Sequence, residues 1–198
     1  MRKCLLALTA AAALAAGCDN KSTRPSPLAD EAAADTTAAS DAVTDSTLYG
    51  ICGDGSAMNT LQLITDEGDT VVLSIADAND TGQCYGSFQS GDRMAVILKD
   101  ASTAAQVVNM TVLTGDWLSS SSSSSSSQSG IRLKADGQAE NIGTGPVAYR
   151  SWRLLNGQLE IESASDGKTE VGLYDIVAIG PDSLVFKDDA RRFEFSRK

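Results

Sequence analysis

The chain contains no histidine. That removes the side chain that most often serves as general base or metal ligand near neutral pH. A Ser-His-Asp triad is excluded, and no Gly-x-Ser-x-Gly elbow is present. No Ser-x-x-Lys sits in a suitable setting for Ser-Lys chemistry, and phosphate loops and Cys-x-x-Cys pairs are missing. Basic charge is scarce, with 16 Lys and Arg against 26 Asp and Glu. A field of that sign repels nucleic acid and anionic lipid, and no basic stripe offsets it. The longest apolar run, Leu5 to Ala16, is broken only by Thr9 and is too short for a bilayer, which needs about twenty residues. From Thr47 onward no stretch keeps apolar residues at i, i+3, i+4 and i+7 for three turns. These absences predict a non-catalytic, all-β protein with no cofactor, no bound metal and no nucleic-acid partner.

What is present begins with a signal. Met1-Arg2-Lys3 is cationic, and the apolar run that follows has the length of a signal-peptide core. It ends in Leu14-Ala15-Ala16-Gly17-Cys18. Small residues ahead of a cysteine resemble the lipobox of bacterial lipoproteins, although Leu is commoner there than Ala at position 15. The resemblance implies cleavage before Cys18, diacylglycerol on its thiol, palmitate labelling and a membrane as partner through that lipid. An ordinary secretory signal with an incidental cysteine is the alternative. Removing Arg2 and Lys3 with the signal leaves 14 basic against 26 acidic residues. Asp19 after the cysteine retains lipoproteins at the inner membrane in enteric bacteria, while other phyla follow other rules. A cell-envelope address is expected, on the periplasmic or surface face of the outer membrane rather than at the inner membrane.

Residues 18–46 are rich in Ala, Ser, Thr and Asp, contain no aromatic residue, and hold Pro25 and Pro27. Such a segment buries too little apolar surface to offset its ordering entropy and reads as a tether. The nine consecutive serines Ser119–Ser127 specify no packing and read as part of a loop over 119–129.

The remainder alternates short β-type runs with Gly, Asp and Asn turns. Leu48–Ile51, Thr60–Leu63, Thr70–Ile75, Cys84–Phe88, Arg93–Leu98 and Gln106–Leu113 form a first set. Five or six short strands suit a small OB-like or SH3-like barrel over residues 47–113. The second set, 114–198, includes Ile131–Leu133, Tyr149–Leu155 and Gln158–Glu162, the last two joined by Asn156-Gly157, a strong hairpin signal. The change of parity from Val171 and Leu173 to Tyr174 and Ile176 points to a bulge. Alternation at Leu184/Phe186 and Phe193/Phe195 closes an antiparallel meander. The boundary between the sets is soft, since Leu113 to Trp117 reads as one continuous strand.

The second set resembles the lipocalin-like domain of lipoproteins from Bacteroidetes. The likeness rests on Leu113-Thr114-Gly115-Asp116-Trp117, on Gly130 to Gly137, on Trp152 ahead of Leu159, and on Tyr174-Asp175-Ile176 with Asp182-Ser183-Leu184-Val185. It implies a barrel whose floor is Trp117, covered by an arginine from the chain end, where Arg191, Arg192 and Arg197 stand. The second set is short for a ligand-holding calyx, and the serine tract falls on its first connection.

Three further expectations concern sites and a last one the function. Cys52 and Cys84, the cysteines left beside Cys18 after processing, pair in a disulfide if the first and fourth strands of an OB-like barrel bring them together; two unpaired thiols are the alternative. Asp77-Ala78-Asn79-Asp80-Thr81-Gly82 imitates the start of a calcium loop, but Phe88 stands where the closing acid belongs, so an acidic solvated turn is expected. Trp117 and Trp152 are barrel floor or pocket wall. The function expected is a lipid-anchored binding or accessory module with a small apolar ligand. The alternative is a structural lipoprotein in contact with envelope proteins.

Overall fold

The computed structural model describes residues 44–120, 128–145 and 147–198. Cys18 and Ser121–Ser127 lie outside them. The first sheet contains β1 (Leu48–Cys52), β2 (Thr60–Thr65), β3 (Thr70–Ser74), β4 (Cys84–Tyr85), β5 (Arg93–Asp100) and β6 (Thr103–Asn109). Its order is β3-β2-β1-β5-β6-β4, and one parallel pair, Ser74 with Thr103, joins β3 back to β6. Neighbours in β1-β2-β3 and in β1-β5-β6 run antiparallel. This is the strand order of an OB-like barrel. Leu61, Leu63, Leu73, Met94, Val96 and Val107 point inward, and each is at most 1% exposed.

The second sheet is an eight-stranded up-and-down meander. Its strands are β7 (Gly115–Ser119), β8 (Gly130–Leu133), β9 (Ala139–Ile142), β10 (Ala148–Leu155), β11 (Gln158–Ser165), β12 (Lys168–Ile179), β13 (Ser183–Lys187) and β14 (Arg192–Arg197). The last strand pairs with the first, Arg197 opposite Trp117. At the remaining seam, between β9 and β10, the bridge from Gln138 to Ser151 and the side chain of Asn141 span the gap. The Asn141 amide donates to Val147 O and its oxygen accepts Tyr149 N. The barrel is therefore nearly closed. At the β10–β11 turn Asn156 (φ 49) and Gly157 (φ 83) are both left-handed, as a two-residue hairpin requires. In β12 the register shifts between Ile176 and Ala178, so Ile176 and Ile179 both face inward although they differ in parity.

The two sheets share a core. Met94 and Val96 fill the first barrel, while Ala95, between them on the opposite face, is 1% exposed and packs with the second barrel. Val107 and Val108 divide in the same way, and Tyr85 joins Ala95 and Val108 in the larger cluster. The chain entering at Thr44–Ser46 is tied to the β10–β11 turn: Asn156 Oδ1 accepts Ser46 N at 2.8 Å and Ser46 Oγ at 2.7 Å. Val43–Lys198 is accordingly one compact unit.

Two short helices interrupt a region expected to be β throughout. α1 (Ala76–Asp80) forms where an acidic turn was expected, burying Ala78 and pairing Asp77 with Lys99 at 2.6 Å. α2 (Met110–Leu113) ends β6 early and breaks the expected continuous strand from Leu113 to Trp117. Its N-cap is Asn109, fully buried, whose oxygen accepts Val112 N while its amide donates to Ser87 O and Asp92. The local cap outweighs the poor helix propensity of Thr111 and Val112.

α2 delivers the chain to the barrel floor. Trp117 is 0% exposed and its indole N–H donates to Leu113 O at 2.8 Å. Arg197 lies 4.2 Å from the Trp117 ring centroid and donates to three carbonyls: Pro181, Thr114 and Val112. Gly115 (φ +144) makes room, since a Cβ there would lie 2.3 Å from Arg197 Nη1. Of the three arginines considered from sequence, Arg197 takes this place, while Arg191 sits over Phe193 and Arg192 binds Glu194.

Trp117→Ala should cost about 3–5 kcal/mol and Arg197→Met about 1–3 kcal/mol. The double mutant should lose less than their sum, because the two side chains share one contact; chemical denaturation of the three variants measures this. Acid should also weaken the floor. The Arg132 guanidinium, bidentate to Asp116 across β7 and β8, holds the Asp116 carboxyl below the usual carboxylate range. A depressed native pKa gives stability present above the unfolded pKa and lost as pH falls through the native one. Asp116→Asn should therefore flatten the acid limb of a stability-versus-pH curve and leave the neutral limb parallel to wild type.

Candidate ligand-binding cleft

The interior of the eight-stranded barrel is filled. Trp117, Leu133, Trp152, Leu159, Leu184 and Phe186 are each at most 4% exposed and belong to one cluster. The apolar concavity lies outside it, between the two sheets: a cleft of about 550 Å³. That volume falls in the range of small-molecule sites, which favour junctions between packed units.

Each wall follows from local structure. Tyr49 on β1 points away from the first barrel and donates its hydroxyl to Leu154 O at 2.8 Å and to Asp45 at 3.2 Å. Met110 and Thr111 are presented by α2, and Thr111 Oγ1 accepts the backbone N–H of Arg93 at 2.8 Å. The opposite wall is the turn at Asp136-Gly137 with Trp152 on β10. Trp152 N donates to Gly137 O, and its indole N–H donates to Lys134 O at 2.9 Å. The polar atoms of Tyr49 and Trp152 thus have backbone partners, and Trp152, 4% exposed, borders the cleft from the barrel core.

Both arginines at the rim are paired, whereas Asp136 makes no ion pair among the described residues and accepts the Gln138 N–H. Arg93 is bidentate to Asp66 and lies 5.8 Å from the Tyr49 ring centroid. Arg153 is bidentate to Glu160 at 2.6 and 3.1 Å. The Asp66 bond raises the Arg93 pKa, and the Glu160 bond raises that of Arg153. Burial pushes the Tyr49 hydroxyl up, with Asp45 adding to the effect. The cleft therefore presents apolar side chains between two paired guanidinium groups, with the exposed Asp136 carboxylate at its edge. Such a surface can hold an apolar body noncovalently.

Of the residues singled out from sequence, Trp152 lines this cleft and Trp117 is sealed beneath Arg197. The expected Cys52–Cys84 disulfide is corrected: both are free thiols. The strands beside β1 are β2 and β5, the latter beginning at Arg93, whereas Cys84 lies on β4 beyond β6. The buried Cys52 thiol donates to Ser56 Oγ at 3.2 Å, and burial raises the Cys84 thiol pKa. No group of three or more metal-binding side chains occurs among the described residues, and no helix among them is long and apolar enough to cross a membrane. Sequence reasoning did not single out Tyr49, Met110, Arg93 or Arg153. An outward tyrosine on a strand whose inward neighbours are apolar was the available signal for Tyr49.

Tyr49→Phe removes the bond to Leu154 O that ties β1 to β10. It should cost about 0.5–1.5 kcal/mol without altering the far-ultraviolet dichroism; a thermal melt with matched spectra checks it.

Residues 109–198 match the family model described as lipocalin-like. That stretch starts at the α2 cap and contains the whole eight-stranded barrel. Among solved structures, a lipocalin-like protein from Bacteroides thetaiotaomicron is 22% identical and covers 43% of this chain and 96% of that chain, with a TM-score of 0.39. No curated protein matches the chain. The fold is all-β with a nearly closed eight-stranded barrel, and residues 109–198 carry a lipocalin-like domain.

Proposed function

We propose that this chain is a non-catalytic binding module that takes a small apolar ligand in the cleft between its barrels. The observation that carries the reading is the 550 Å³ concavity walled by Tyr49, Met110, Trp152 and Leu154, with both of its arginines held in ion pairs. The lipocalin-like domain supports a binding role. Its filled barrel moves the site from the barrel interior to the outer surface. A second reading, a structural lipoprotein within an envelope assembly, draws on the same filled interior and on Ile51 and Ile64, opposite each other across β1 and β2 and 37% and 43% exposed.

The test uses the tryptophans as reporters. In Trp117→Phe, Trp152 is the remaining tryptophan. The neutral dye N-phenyl-1-naphthylamine should quench Trp152 by energy transfer in a saturable manner, and Met110→Gln should weaken this about tenfold or less with the melt retained. Non-saturable quenching, or quenching unchanged in Met110→Gln, would favour the structural reading.

The module is held to the cell envelope, on this proposal, by lipid on Cys18. The support is the apolar run ending in Ala15-Ala16-Gly17-Cys18. Cys18→Ala should abolish labelling by a palmitate analogue and release the protein from membranes; equal labelling of the mutant would sink the anchor. Fractionation of inner from outer membrane tests the outer-membrane address.

A further inference from the structure

A second concavity, about 350 Å³, lies where the β10–β11 turn meets the first barrel. Its chemistry is unlike that of the apolar cleft. Gln83, Gln106, Asn156 and Gln158 all line it, together with Asp175 and Lys187. A carboxamide offers both donors and an acceptor, as a hydroxyl-rich ligand does.

The amides are fixed at one end. Gln83 Oε1 accepts the Tyr85 hydroxyl at 3.2 Å, leaving its NH2 group toward solvent exchange. Gln158 Nε2 donates to Asp175 Oδ1 at 2.8 Å, leaving its own oxygen and the second Asp175 oxygen as acceptors. Gln106 Nε2 donates to Gly157 O at 3.0 Å and lies close over that residue; a Cβ on Gly157 would stand 1.9 Å from Gln106 Oε1. Asn156 is spent on Ser46 and Thr44 and takes no part. Holding each amide at one end removes rotamer freedom that a ligand would otherwise have to freeze.

Asp175 and Lys187 are direct cross-strand partners of β12 and β13, yet Asp175 bonds Gln158 and Lys187 makes no ion pair among the described residues. One acid and one base side by side leave the crevice without net charge, which argues against an anion. The Tyr85 ring is 7% exposed and offers no free face for a nucleobase. Ile176, also in the lining, faces into the barrel and is 5% exposed, so the surface offered by the crevice is largely polar.

We propose that this crevice is a site for a neutral sugar unit, hydrogen-bonded by Gln83, Gln158, Asp175 and Lys187. It stands apart from the apolar cleft and does not depend on that reading.

Side-chain NH2 resonances make the test direct. Glucose, galactose and mannose are each titrated into the 15N-labelled protein, with glycerol as the non-cyclic control. At least one sugar should give saturable shifts of the Gln83 and Gln158 NH2 signals that glycerol does not. Gln158→Leu and Lys187→Met, both at surface-accessible positions, should each weaken the binding about tenfold, with the melt and the naphthylamine titration unchanged. Absence of saturable shifts with all three sugars overturns the proposal. So do shifts that glycerol reproduces, or that survive both substitutions.

Discussion

Met94–Val96 of β5 and Val107–Asn109 of β6 are buried on both faces of their strands, and the rest of the molecule depends on that constraint. An isolated small barrel buries one face of each strand and wets the other. Here Met94 and Val96 are claimed by the first barrel, and Ala95 is claimed by the second. Val107 and Val108 repeat the division. Removing either barrel would expose apolar surface on these strands, so the two sheets are thermodynamically one body. The small side chain of Ala95 lets the sheets approach closely.

The same docking creates both concavities. Two convex barrels touch along a limited line, and the spaces beside it become grooves. Which groove is apolar and which is polar follows from the residues facing it. α2 and β1 bring Met110 and Tyr49 to one, while the segment before β4 and the β10–β11 turn bring carboxamides to the other. The filled interior of the eight-stranded barrel has a related cause. A barrel of eight strands is only wide enough for side chains to fill, and Trp152, Leu159 and Phe186 occupy that space.

The floor depends on the chain end. Arg197 ties Val112, Thr114 and Pro181 around the Trp117 ring, so segments distant in sequence are joined at one guanidinium. Its planar fork of donors reaches several carbonyls at once, which an ammonium could not match in geometry.

By itself the sequence determined what local periodicity and turn chemistry can specify. The β content and the Asn156-Gly157 hairpin were legible from alternation and turn residues, and the second barrel with its Trp117 floor from the family resemblance carried by Gly115-Asp116-Trp117. The α1 and α2 turns were not, because helices of four or five residues are too short to show a period, and α2 depends on the buried cap Asn109. Tertiary structure alone decided which strand lies beside β1, and hence that Cys52 and Cys84 stand apart as free thiols. It also decided that Tyr49 and Trp152 face one cleft, although 103 positions separate them. The run Met94-Ala95-Val96 reads as a buried strand in either case. Only the packing of one barrel on the other shows which of its faces each barrel covers, because a continuous apolar run carries no information about its partners.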